Sequence, residues 1–186
     1  MLITALAPFP APSRPALRLA AGPFFTTPEQ RIALARERFF EEGVRPSGLV
    51  SELVIQSWTR CVGARRRPNE SISMAPPTRS RIANALVRSR QLLEAARDDL
   101  AELDAVLAGS SCKALLTGPD GVVVHATPTA GDEGGLMPML ARVGNDLGEA
   151  TVGTGAPGVS ARTGEVCVVT GAEHFFAGFG AMPCAA

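Results

Sequence analysis

The sequence predicts a mixed α/β (α+β) fold, in which a helical hairpin and a long helix precede an antiparallel sheet flanked by helices. Two observations predict it. Gly118-Pro-Asp-Gly121 lies between two apolar runs, which is a hairpin signal because proline presets φ and glycine adopts positive φ. Upstream of that turn, apolar or small residues recur with a period of 3.5 residues from Ile82 to Leu107, which is typical of a long helix.

The composition indicates one core of ordinary size and argues against nucleic-acid or membrane contact. The chain has 186 residues, 46% of them apolar, and a formal net charge of zero, which is a poor electrostatic footprint for nucleic acid. Its four cysteines lie far apart without a C-x-x-C pair, so neither a zinc knuckle nor a disulfide framework is indicated. No apolar run approaches the roughly 18–20 residues of a membrane span. We therefore expect a cytoplasmic protein with reduced thiols.

Composition shifts and helix signals divide the chain into five parts. They are a disordered Pro-rich lead at 1–26, a helical hairpin at 27–67, a linker at 68–77, a long connecting helix at 78–109 and a sheet-containing domain at 110–186. In the hairpin, the first helix begins at the Thr27 capping box and ends at Gly43, and the second runs from near Ser47 to about Val62. Trp58 is interpreted as the largest core anchor of this hairpin.

The long helix begins at Thr78 and ends at Gly109, without internal Gly or Pro. At 1.5 Å per residue it would be roughly 45 Å long, which is longer than one small domain. Either its halves pack on the hairpin and on the sheet, or two copies pair in a homodimer. The residues of the proposed dimerisation seam are Ile82, Leu86, Leu93, Leu100 and Leu107.

The last part is predicted to build a small-molecule pocket. Its expected elements are strands at 113–117 and 122–126, a mobile polar loop at 127–135, short helices at 136–143 and 156–162, and a buried strand at 165–169. The segment from Glu149 to Gly155 places a carboxylate, hydroxyls and glycines ahead of an apolar run. Because glycine lets the backbone approach a ligand closely, this favours a binding wall.

A second polar segment, Glu173-His174, follows the predicted buried strand. A metal pair or a general base at this point is disfavoured, because adjacent strand residues face opposite sides and no metal-ligand spacing is present. No nucleophile–base pair can be argued from the sequence, so we expect no enzyme activity, no cofactor and no metal.

Three motifs in this order carry a resemblance to a known family. They are E-x-x-x-G-T-x-A-x-G at Glu149, Gly153, Thr154, Ala156 and Gly158, then G-A-E-H-F at 171–175, and then C-x-A at Cys184 and Ala186. The ordered set resembles the GAF sensory domain of bacterial regulators of the acetoin-catabolism-regulator (AcoR) type. Ser57-Trp-Thr-Arg-Cys61 is similar to a signature that precedes this domain. Gly155 and Pro157 stand where the family usually has Asn and an aliphatic residue.

The resemblance implies a GAF-like sheet that senses a small-molecule effector and regulates transcription. The ligand-binding residues that it implies are Glu149, Thr151, Thr154, Glu173, His174 and Phe175. Family members contact sigma-54 RNA polymerase through an AAA+ domain and DNA through a Fis-type helix-turn-helix, and this chain contains neither domain. In the family, further strands follow the C-x-A segment. We therefore expect a truncated member whose sheet has an unpaired edge at Ala186.

Two other classes of function stay open at the level of sequence. One is a dimerisation or interaction fragment whose pocket is vestigial, which predicts association through the seam without a response to ligand. The other is a redox or metal enzyme that uses Cys167, Cys184 and His174, which predicts bound metal or a thiol of low pKa.

Overall fold

The computed structural model describes residues 3–6, 27–72, 74–110, 112–128 and 139–186. Its strands are β1 Ile3–Leu6, β2 Lys113–Thr117, β3 Val123–Ala126, β4 Val168–Thr170 and β5 Pro183–Ala185. Its helices are α1 Pro28–Arg36, α2 Glu52–Gly63, α3 Arg79–Arg88, α4 Arg90–Ala95, α5 Arg97–Leu107, α6 Glu149–Val152 and α7 Ala156–Thr163. Helices and antiparallel strands are thus combined in an α+β fold. The part of the chain described contains no helix that is long and apolar enough to span a membrane.

Two helices lie in the segment predicted as a helical hairpin, and the second begins later than predicted. Thr27 caps α1 by accepting a hydrogen bond from the Gln30 amide at 3.3 Å, and a π-helical turn at Glu37–Glu41 extends the helix towards Gly43. The second helix, α2, begins after Ser51 and not near Ser47. The predicted start is wrong because Gly48 has a φ of +79°, which a right-handed helix does not allow.

The predicted long helix is wrong as a single straight element, because it divides into α3, α4 and α5. Thr78 caps the series as expected, but Ser89 and Ala96 interrupt it with φ near −100° and ψ near 10°. These two small residues are buried at 8% and 1% exposure, so the bends let the helices follow the twisted sheet. The helical series therefore covers the sheet instead of running past it.

In the described part of the chain, five antiparallel strands form the sheet in the order β3-β2-β1-β5-β4. The hairpin of β2 and β3 is confirmed, with Gly121 at a φ of +77° in the predicted turn. The strand β1 lies in the stretch that was predicted to be a disordered lead, and it pairs with both β2 and β5. A strand can form there because these four residues contain no proline and both neighbouring strands offer backbone partners.

The C-terminal strands differ from the prediction in position and exposure. The strand β4 begins at Val168, and Val166 and Val168 are 84% and 56% exposed while Cys167 and Val169 are buried. The expectation of a fully buried strand at 165–169 is therefore wrong, because an edge strand with one covered face alternates in exposure. The expected unpaired edge at the C-terminal strand is also wrong, because β5 pairs with β1 on one side and with β4 on the other.

The two faces of the sheet carry two different clusters of core residues. On one face, Leu115, Val123 and Val169 pack with the hairpin, around Trp58 and Phe175. The other face buries residues of the helical series against β2 and β3. This second cluster comprises Ala85, Ala96, Leu100, Leu116, Val122 and Val124. Adjacent residues such as Leu115 and Leu116 thus point to opposite layers, as the pleat of a strand requires.

The connection between β3 and α6 is only partly described. Residues 129–135 of the predicted loop at 127–135 and residues 136–138 of the predicted helix at 136–143 lie outside the described residues. Residues 139 and 140 are helical, and 141–144 form a bend and a turn. The helix α7 matches its prediction: Pro157 lies in its first turn, and Gly164 ends it at a φ of +74°.

Candidate functional site

The Gly-rich segment around α6 forms a wall that packs tightly on an aromatic pair. Gly153 has a φ of +67°, and a Cβ at this position would approach Phe176 to 2.8 Å and Phe175 to 2.9 Å. A Cβ at Gly158 would lie 2.8 Å from backbone atoms of Leu147 and Glu149. Glycine is thus required at both positions, which lets the wall approach the rest of the domain closely.

A small cavity of about 30 Å³ lies behind this wall, between α7, the end of β5 and the two short 3₁₀ turns near Phe179. Its described lining is almost entirely apolar and contains no carboxylate, lysine or arginine. The lining residues are Leu140, Leu147, Val152, Thr154, Gly155, Pro157, His174, Phe179, Met182 and Cys184. An uncharged ligand fits this lining, because a buried charge would have no opposite charge to pair with.

Two of the cavity residues, His174 and Cys184, form a buried hydrogen-bonded pair. The Nε2 atom of His174 lies 3.2 Å from Sγ of Cys184, and its Nδ1 lies 2.9 Å from the carbonyl oxygen of Gly171. A carbonyl can only accept, so Nδ1 carries the proton and Nε2 accepts a hydrogen bond from the thiol. The backbone N–H of Ala156 donates to the same sulfur at 3.2 Å. The imidazole and the thiol are therefore both satisfied in their neutral forms.

Burial keeps this pair uncharged. It raises the pKa of the Cys184 thiol to about 12 and lowers the pKa of His174 below its ordinary value. The pKa of Cys167, a third residue of the thiol-enzyme hypothesis, is raised to about 11, again chiefly by burial. Reactive cysteines have a lowered pKa, so these thiols have the properties of structural residues. The described residues include no cluster of three or more His, Cys, Asp or Glu side chains that could hold a metal ion.

The hydroxyl of Thr154 connects the cavity to the helical hairpin. Its Oγ1 lies 2.7 Å from Oγ of Ser57 on α2, and neither residue is exposed. The thiol of Cys61 lies beside both hydroxyls; burial raises its pKa, and hydrogen bonds from Thr154 and Ser57 oppose that rise. The hairpin is thus hydrogen-bonded to the cavity wall, although none of its residues is among the described residues that line the cavity.

Three further contacts join the hairpin to α6 and to the 3₁₀ turn that precedes His174. Arg60 donates two hydrogen bonds to Glu149, at 2.7 and 2.6 Å, and the pKa of Arg60 is raised mainly by this bond. The indole N–H of Trp58 donates to the carbonyl oxygen of Glu173 at 2.8 Å. From α1, Arg36 donates to the carbonyl oxygens of Ala172 and His174 at 2.9 and 2.8 Å.

The predicted ligand-binding residues therefore separate into two groups. Thr154 and His174 line the cavity. The other four make contacts within the protein and are not among the lining residues. Glu149 pairs with Arg60, Thr151 donates to Asp146 at 2.7 Å, Glu173 caps the Thr170 amide at 2.8 Å, and Phe175 is fully buried against Phe40 and Phe176.

Sequence reasoning missed Ser57, Arg60 and the apolar lining of the cavity as parts of the site. The signal for the first two was available, since both lie in Ser57-Trp-Thr-Arg-Cys61, which the sequence marks as a motif. No local pattern distinguishes apolar residues that line a cavity from those that fill a core. The pairing of His174 with Cys184, ten residues apart, depends on the fold of the 3₁₀ turn.

The residues of the proposed dimerisation seam differ in their exposure. Leu100 is 5% exposed and packs on the sheet, with Leu93 partly buried beside it, so both make contacts within the chain. Ile82 and Leu107 are half-buried, and Leu86 is 38% exposed. Among the predicted seam residues, Leu86 is therefore the most available to a partner.

Comparison with known proteins gives no family assignment for this chain. No family model, no curated protein and no solved structure matches it.

Proposed function

We propose that this chain is the small-molecule-sensing, GAF-like region of a bacterial transcriptional regulator of the acetoin-catabolism type. The observation that carries the proposal is the apolar cavity, which is lined by Thr154 and His174 from the two motifs of the resemblance. A concave space with a predominantly apolar lining is the usual form of a small-molecule site, and a volume of about 30 Å³ limits the effector to a very small molecule. The effector would be a small uncharged molecule.

The proposed region works in a cytoplasmic regulator and has no catalytic role of its own. The neutral state of the His174–Cys184 pair supports binding over nucleophilic chemistry. DNA and sigma-54 RNA polymerase would be contacted only through domains that this chain does not contain. Homodimerisation is part of the proposal, and the exposed apolar side chains of the neighbouring residues Leu86 and Val87 on α3 support it.

The proposal is tested by thermal unfolding in the presence of 2-butanone, 2-butanol or phenol, which represent a carbonyl compound, an alcohol and an aromatic. A ligand that binds only the folded protein raises the unfolding midpoint in a saturable way. We expect at least one probe to do so, with a weaker effect in Thr154→Val, which loses the cavity hydroxyl, than in Thr154→Ser, which keeps it.

The matched control is Thr163→Val, because the Thr163 hydroxyl bonds to Val159 within α7 and is not among the cavity-lining groups. This variant should keep the wild-type response. Absence of a saturable midpoint shift with all three probes would count against the sensory function. An equal response in Thr154→Val and wild type would remove Thr154 from the site.

A further inference from the structure

At Gly155, one of the glycines of the wall, the surrounding protein does not require a glycine. Its φ of −153° and ψ of 150° are extended backbone, which any residue adopts. Among the described residues, a Cβ built there meets nothing closer than Pro157, at 4.0 Å. By contrast, Gly153 and Gly158 would each bring a Cβ to 2.8 Å from a neighbouring atom. Neither backbone conformation nor packing therefore explains the missing side chain at 155.

Local helix energetics also favour a side chain at this position. Gly155 is the N-cap of α7, where no side chain makes a capping hydrogen bond. Serine and asparagine are better N-cap residues than glycine because their side-chain oxygens accept hydrogen bonds from the first free amides of the helix. Glycine at position 155 therefore leaves α7 without a side-chain capping hydrogen bond, although there is room for one.

The open space beside Gly155 is interior space. Gly155 is buried, and it is one of the residues that line the apolar cavity, together with Thr154 and Pro157. Because Gly155 lines this cavity of about 30 Å³ and an added Cβ has no described neighbour closer than Pro157, we expect a side chain at 155 to take up part of the cavity.

We propose that Gly155 is the size-determining residue of the ligand site, where it keeps open the space that the carbon body of a compact uncharged ligand fills. This inference rests on the proposed function. The Thr154 hydroxyl would bond to a polar group of the ligand, since a hydroxyl has one donor and two acceptor positions and Ser57 and Cys61 occupy two of the three. A side chain at 155 would compete with the ligand for the same volume.

Xenon tests the space itself, because small apolar cavities in proteins bind it whatever their natural ligand is. We expect xenon under pressure to shift the methyl NMR signals of Leu147, Val152 and Met182 in the wild-type protein in a saturable way. In Gly155→Ser, the affinity for xenon should fall about tenfold or more, because a pocket discriminates sharply against lost volume. The thermal midpoint of this variant should stay equal or rise, since serine caps α7 and restricts the unfolded chain.

Two further variants make the result decisive. Gly155→Ala adds a Cβ alone and should also weaken xenon binding without unfolding the protein. Gly63→Ser is the matched control, because Gly63 is exposed on α2 and an added Cβ there has no described atom within 4 Å. This variant should bind xenon as the wild type does. Wild-type xenon affinity in Gly155→Ser, or unfolding of both variants at 155, would overturn the inference.

The same variants separate this inference from the sensory function. Where 2-butanone, 2-butanol or phenol raises the midpoint of the wild type, Gly155→Ser should lose that response, and a retained response would overturn the role of Gly155. Where none of the three probes acts on the wild type but xenon binding depends on Gly155 as expected, the sensory function fails while the role of Gly155 in setting the cavity size is upheld.

Discussion

The side-chain hydroxyls of Ser57 and Thr154 lie 2.7 Å apart in the interior, although 97 positions separate the two residues in the chain. Ser57 belongs to the helical hairpin and Thr154 to the cavity wall, so this bond joins two parts of the molecule. Both residues are fully buried, and removing one partner leaves the other hydroxyl without water to replace it. The bond therefore makes the stability of the hairpin depend on the cavity wall.

Ser57→Ala and Thr154→Val should each lower the free energy of unfolding by about 1–2 kcal/mol. The double variant should cost less than the sum of the two, because it leaves no unpaired hydroxyl. Urea unfolding of the four proteins in the cycle measures the coupling. Thr59→Val serves as the control, since the Thr59 hydroxyl bonds to Ile55 within α2, and it should show no coupling to Thr154. Strict additivity of Ser57→Ala and Thr154→Val would contradict the prediction.

The paired hydrogen bonds of Arg60 and Glu149 give a second prediction about the same interface. The Glu149 side chain is 10% exposed, and Glu149→Gln should lower the free energy of unfolding by about 1–3 kcal/mol because it leaves a partly buried guanidinium without its anion. The exposed pair of Arg45 and Glu52 provides the comparison, and Glu52→Gln should cost less than about 1 kcal/mol.

The fluorescence of Trp58 can report a loosening of the hairpin, because Trp58 is the one tryptophan in a chain without tyrosine. It is fully buried and donates to the carbonyl oxygen of Glu173. The emission of Glu149→Gln should shift to longer wavelength at a lower urea concentration than that of the wild type. Identical transitions for Glu149→Gln and Glu52→Gln would show that the buried pair does not hold the hairpin.

The sequence predicted those parts of the fold that depend on local chemistry. The Thr27 and Thr78 caps, the turn at Gly121 and the end of α7 at Gly164 each follow from one residue and its immediate neighbours. The bends at Ser89 and Ala96 were not predictable from a regular 3.5-residue pattern, because they depend on how the helices fit the sheet. Likewise, the place of β1 depends on partners more than 100 residues away.

The candidate site was predictable to a similar extent. Thr154 and His174 were identified as site residues because they lie in motifs. Glu149 and Glu173 were predicted on the same ground, but their carboxylates are engaged by Arg60 and by the Thr170 amide. The second contact is local, but the first joins residues 89 positions apart, and a motif carries no information about such a partner.

Burial of His174 predicts a pH dependence of stability. Its pKa is lowered in the folded protein by desolvation, so the unfolded chain binds the proton more tightly. The contribution of neutral, buried His174 to the free energy of unfolding is fully present above the unfolded pKa of about 6.5. It is lost as the pH falls from there through the folded pKa. The free energy of unfolding should therefore decrease on acidification below pH 6.5, by at most about 1.4 kcal/mol per pH unit for this one group.

His174→Asn should reduce that slope, although it also lowers stability at every pH because the Cys184 thiol loses its acceptor. Urea unfolding between pH 5 and pH 8 measures both effects. A slope in His174→Asn as steep as in the wild type would assign the pH dependence to other groups.

The last prediction concerns the helical series and the proposed homodimer. Leu100 is 5% exposed and packs on Leu116 and Val124, so Leu100→Asp should cost at least about 3 kcal/mol by burying an unpaired charge and should unfold the domain. Dissociation seen with that variant would thus say nothing about the interface.

Leu86 is 38% exposed and gives a cleaner test. If α3 forms the interface, Leu86→Asp should convert dimer to monomer in sedimentation velocity, because two charges would face each other across the twofold axis, while the far-ultraviolet spectrum stays unchanged. Ala83→Asp, an exposed position on the same helix outside the predicted seam, is the matched control and should sediment as the wild type does. A Leu86→Asp protein that sediments identically to the wild type would exclude this face of α3 from the interface.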